Sequence, residues 1–116
     1  MFTIKMSANK RIDVNKIIEN VIATCYEGQN TFKKIIKVNE YVSGVYVCEK
    51  YYFRIQSTLA VTVITSEKKD STNVDIVAAG GYADNDYTIM PRSAEKSAAF
   101  EFSEVLSTYG FVRLQK

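Results

Sequence analysis

The sequence predicts an α+β fold: an antiparallel sheet of five strands, or six if the C-terminal tail joins it, with two helices on one face in the order β-α-β-β-β-β-α(-β). Three observations lead there. Two segments repeat apolar residues at the three-and-four spacing of a helix with one buried stripe. Five others alternate or concentrate β-branched and aromatic residues in the manner of strands. Four of those strands follow one another through connections too short for a parallel crossover, which makes them antiparallel neighbours and separates the architecture from alternating βαβ units.

Each element has its own local reason. Phe2 to Ser7 alternates Phe2, Ile4 and Met6 with Thr3, Lys5 and Ser7, so it is read as a strand with one buried face. Asp13 is an expected N-cap for a helix whose stripe is Val14, Ile17, Ile18, Val21, Ile22 and Cys25, with Ile12 positioned as a staple on Ile17 and Gly28 as the stop. Thr31 to Val38 carries Phe32, Ile36 and Val38 on one parity and Lys33 and Lys37 on the other, the charge pattern of a protected edge strand. Val45 to Phe53, Leu59 to Thr65 and Asn73 to Ala79 are the next strands, with turns expected at Asn39 to Gly44 and Glu67 to Thr72. Tyr82 to Arg92 reads as the longest loop. Ser93 is the expected cap of a second helix with the stripe Ala98, Ala99, Phe102, Val105, Leu106 and Tyr109, closed by Gly110 with Phe111 folding back on Leu106.

Length and composition set the outer bounds. A chain of 116 residues, 47% hydrophobic and 24% charged, is one domain over residues 1–116 with a core that needs no staple. The net charge of +2 is too balanced for a nucleic-acid footprint, so nucleic acid is not an expected partner. The N-terminal segment alternates with polar residues and supplies no leader-like apolar run, and no stretch approaches the ~18 apolar residues of a membrane span. A cytoplasmic location without membrane association is the expectation. Histidine is absent, which removes the commonest general base and the commonest neutral metal ligand. No cofactor, no metal and no catalytic residue is assigned. Cys25 and Cys48 have no redox or zinc spacing and are expected as reduced thiols, Cys25 on the helix stripe and Cys48 the more exposed.

The stretch Val45-Tyr46-Val47-Cys48-Glu49-Lys50-Tyr51-Tyr52, then Ser57-Thr58-Leu59-Ala60-Val61-Thr62-Val63 and Ala79-Gly80-Gly81, resembles the middle of a family of small uncharacterised bacterial proteins. The element order resembles the TATA-binding-protein-like, helix-over-sheet group. The resemblance covers about half the chain, through patterns and not invariant motifs, and it implies a fold and no function, since a shared fold does not carry DNA binding with it.

Two sets of candidate residues emerge from strand parity. Val45, Val47, Tyr51 and Phe53 are expected to face the core, which draws Glu49 inward as the polar anchor of a cavity lined by Tyr51, Phe53 and Phe102. The alternative for Glu49 is a bulge that turns it outward, or a structural pair with a lysine or tyrosine. Tyr46, Lys50, Tyr52 and Arg54 take the opposite parity and form the expected interface, with a solvated sheet face as the plain alternative. Gly80-Gly81 is read as a turn or strand-end bulge, and Asp84-Asn85-Asp86 as a solvated loop without the glycine and glutamate of a calcium site. The expected function is a non-enzymatic binding or self-assembly module, a homo-oligomer built through the open sheet face or an edge strand. The alternative is a small-molecule-binding protein with a cavity between helices and sheet.

Overall fold

A computed structural model describes residues 1–26, 31–52, 57–80 and 91–114. The chain is α+β, with an open six-stranded antiparallel sheet and two helices. Its elements are β1 (Phe2–Ala8), α1 (Val14–Cys25), β2 (Thr31–Val38), β3 (Tyr41–Tyr52), β4 (Ser57–Glu67), β5 (Thr72–Gly80), α2 (Pro91–Thr108) and β6 (Val112–Arg113). Across the sheet the order is β2-β3-β4-β5-β1-β6. The C-terminal tail therefore does add a strand, held by Met6↔Arg113 and Ser7↔Val112 pairing and by Leu114 N–H donating to Lys5 O at 2.8 Å.

The strands run longer than their apolar patterns suggest, because the hairpins are tighter. Val38 pairs directly with Tyr41, so the β2–β3 turn is the two residues Asn39 and Glu40 and not the expected Asn39 to Gly44. Asn39 takes φ of +55°, a conformation that asparagine tolerates better than most residues. Gly44 belongs to β3, where a Cβ would strike Asn15 Oδ1 and lie 2.7 Å from Thr65 Oγ1.

Both helix N-termini differ from expectation, and the C-terminus of α2 agrees with it. Asp13 makes no side-chain cap; instead Val14 N–H donates to Ile12 O at 2.7 Å, and Ile12 N–H is taken by Thr72 Oγ1 at 2.9 Å. A neighbouring strand thus supplies an acceptor just ahead of the helix. Helix α2 begins at Pro91, a residue suited to a first turn, which places Ser93 inside the helix and not at its cap. Its end is as expected: Gly110 sits at φ +95°, Phe111 N–H reaches Leu106 O and Gly110 N–H reaches Ser107 O at 3.2 Å each, the paired bonds of a glycine-terminated helix. The stop assigned to Gly28 lies outside the described residues.

The core lies between the helices and the inner face of the sheet. Helix α2 crosses β1 and β5, and α1 lies beside it toward β4. Ile4, Met6, Leu59, Val61, Val63, Val74 and Ile76 meet Ile18, Val21, Ala98, Phe102 and Leu106 in one buried cluster. Val105 is half-buried, and Tyr109, placed on the stripe by spacing, is 50% exposed. On β3 the parity is opposite to that expected. Gly44, Tyr46 and Cys48 are buried, while Val45 and Val47 are half-buried on the outer face. Both parities of β3 carry apolar residues, so alternation alone does not choose between them.

Candidate functional site

Strand pairing arranges the outer face into rows across the sheet. One row reads Phe32, Val47, Thr62, Val77 and Thr3 through β2, β3, β4, β5 and β1. The next reads Lys34, Val45, Ile64, Asp75 and Lys5, and a third Ile36, Ser43, Ser66, Asn73 and Ser7. No described helix covers this side. Phe32 is 55%, Ile36 48% and Ile64 42% exposed, and Val38, Tyr41 and Tyr51 are exposed further along the same strands. A contiguous apolar area of this kind marks an interaction surface more often than isolated exposed residues do.

The predicted site residues do not converge. Glu49 is exposed on the outer face, opposite Ala60, and is not a buried anchor. Tyr51 stands on the same outer face at 56% exposure, whereas Phe102 is fully buried against Tyr26, with ring centroids 5.8 Å apart. Phe53 and Arg54 lie outside the described residues, as does the side chain of Tyr52. Tyr46 and Lys50, expected on an exposed interface, face the helices. Tyr46 is 1% exposed, and Lys50 is half-buried with Nζ 2.9 Å from Glu101 Oε2. The β3 inversion accounts for all four displaced residues of that strand. Asp84-Asn85-Asp86 and Gly81 also lie outside the described residues. Gly80 ends β5, where its N–H donates to Glu95 Oε2 at 3.0 Å and a Cβ would strike Leu59 Cδ2.

The inversion creates a polar network under α1. The Tyr46 hydroxyl and the Thr65 hydroxyl both donate to Asn15 Oδ1, at 2.9 and 2.8 Å, and Asn15 Nδ2 donates to Glu67 Oε2 at 2.9 Å. All three donors reach an acceptor, the condition under which buried polar groups are tolerated. Burial pushes the Glu67 carboxyl upward, Asp13 adds to the shift, and Arg11, with Nε 3.6 Å from Glu67 Oε1, opposes it. Burial, and then the negative charge of Glu19, likewise raises the Tyr46 phenol.

Beside this network an open groove of about 530 Å³ runs between the start of α1 and the helix-facing side of β2 and β3, with Arg11, Lys16, Lys37, Asp13 and Glu67 on its walls. Sequence reasoning missed this place. The signal was present: Thr65 and Glu67 continue the inward parity of Val61 and Val63, and Asn15 lies one turn from Ile18 on the buried side of α1.

Both cysteines are free thiols. Cys48, expected to be the more exposed, is fully buried, with Sγ 3.6 Å from Val61 O, and burial pushes its thiol up to about 12. Cys25 is half-buried and is also raised by burial, with Glu101 adding to the shift. Neither has the lowered pKa of an activated nucleophile. Among the described residues no group of three or more histidine, cysteine or acidic side chains is placed to hold a metal ion, and no helix is long and apolar enough to cross a membrane.

Comparison with known proteins gives no match: no family model, no curated protein and no solved structure aligns significantly with the chain.

Proposed function

We propose that this chain is a non-enzymatic binding or self-assembly module whose working surface is the outer face of β2–β5. The single observation that carries the reading is the uncovered apolar area formed by Phe32, Ile36, Val45, Val47 and Ile64 on adjacent strands, with no described helix over it. Burying such an area removes apolar surface from water at about 25 cal/mol per Å², and symmetric association is the simplest way for a small protein to do so. Sedimentation velocity over a wide concentration range tests it. The expected result is a mass that rises with concentration for the parent chain and stays at the monomer value for Ile64→Lys, with both proteins equally folded by circular dichroism. A parent chain that remains monomeric at millimolar concentration counts against self-assembly.

A second reading has its own observation. The groove beside Asn15 and Glu67 mixes cationic and anionic walls over a buried carboxylate, a setting suited to a small polar molecule and distinct from the apolar cavity expected around Glu49. A thermal-shift screen against small polar metabolites, run on the parent chain and on Glu67→Gln, examines it. A compound that raises the melting temperature of the parent chain alone supports the groove.

A further inference from the structure

We infer that two copies of this chain pack outer face to outer face about a two-fold axis that runs along the strands between β3 and β4, setting Lys34 of each copy on Asp75 of the other. The inference rests on the reading that the outer face is the working surface, and it adds the partner and the geometry.

The middle row supplies the argument. Across four adjacent strands it reads Lys34, Val45, Ile64, Asp75: a cation at one end, an anion at the other and two branched aliphatic residues between them. A two-fold axis lying in the interface along the strands reverses this row in the partner. Lys34 then falls on Asp75, Val45 on Ile64, and symmetry repeats both contacts. The same operation sets Phe32 on Val77 in one flanking row, and in the other it sets Ser43 on Ser66 and Ile36 on Asn73. Lys34 is exposed and Asp75 half-buried, and among the described residues neither belongs to an ion pair within the chain. Lys5 stands opposite Asp75 in β1, but the reversal carries the partner's copy of it beyond β2, where it opposes no cation of the row.

Other pairings of two copies are disfavoured by charge. An in-plane axis perpendicular to the strands stacks Lys34 on Lys34 and Asp75 on Asp75. Edge-to-edge addition along β2 brings together two strands that each carry Lys33, Lys34 and Lys37, the arrangement by which edge strands resist pairing. The opposite edge, β6, is only two residues long. Face-to-face packing of twisted sheets at about 10 Å, with strands about 30° from parallel, suits the chosen axis.

Charge reversal with mixing tests the geometry. Lys34→Asp and Asp75→Lys are made separately, checked for folding by circular dichroism, and measured by sedimentation equilibrium alone and as an equimolar mixture. Each variant by itself faces like charge at both symmetric contacts and is expected to dissociate at least about tenfold more readily than the parent chain. The mixture restores opposite charges at both contacts, so a heterodimer about as tight as the parent dimer is expected. A parent dimer that is indifferent to both reversals, or a mixture that associates no better than its components, overturns this geometry and leaves the outer-face reading standing. A monomeric parent chain overturns this geometry together with the self-assembly form of that reading.

Discussion

The two faces of the sheet are made from the same strands, yet they solve different problems. Inside, Ile4, Met6, Val61, Val63, Val74 and Ile76 are buried under two helices, in a layer interrupted at one end by the Asn15, Tyr46, Thr65 and Glu67 network. Outside, apolar residues of similar kind stand in rows bounded by Lys34 and Asp75 and remain open. Hydrophobic residues on a strand thus do not by themselves name the core. What names it is which parity the helices can reach and whether the polar groups on that parity find partners.

The largest expected effect lies deepest in the inner face. Truncating Ile18 or Leu106 to alanine, one from each helix, is expected to cost about 2–5 kcal/mol by urea denaturation, because each side chain is fully buried and leaves a cavity. Near-zero loss at both positions contradicts the packing of the helices on this face. Gly44→Ala probes the polar end of the same face. Its Cβ meets Asn15 and Thr65 where they already share a hydrogen bond, so a loss of about 1–3 kcal/mol is expected on chemical denaturation.

The network also gives the inner face a pH dependence. Glu67 has a raised folded-state pKa, so the folded chain binds the proton more tightly than the unfolded chain does. Its contribution to stability is fully present below the ordinary carboxylate value and is lost as pH rises through the raised folded value. Glu67→Gln removes this titration. Its melting temperature is expected to vary less than the parent's over that acidic window, and parallel slopes for the two proteins exclude the assignment.

Outer-face changes should leave folding nearly untouched. Glu49→Gln, exposed opposite Ala60, is expected to shift stability by less than about 0.5 kcal/mol in a thermal melt. A large loss returns Glu49 to the core side and reverses the assignment of β3.

Much of the molecule was legible before any tertiary information. The α+β class, the order of elements, the stripe of α1, that of α2 as far as Leu106, and the inward parity of β1, β4 and β5 follow from periodicity, because on those elements only one face is strongly apolar. Gly110 was legible as a helix stop for a local reason, the positive φ that the terminating turn requires. Strand β3 was not. Val45 and Val47 make the better apolar face on paper, but Tyr46 and Cys48 face the helices, because the Tyr46 hydroxyl finds Asn15 there and Gly44 leaves room for that contact. The acceptor lies 31 residues away in the chain, on a helix, and no window of sequence contains both. Local alternation determined the elements, and long-range satisfaction of polar groups decided which face of β3 was buried, and with it where Glu49, Tyr51, Tyr46 and Lys50 stand.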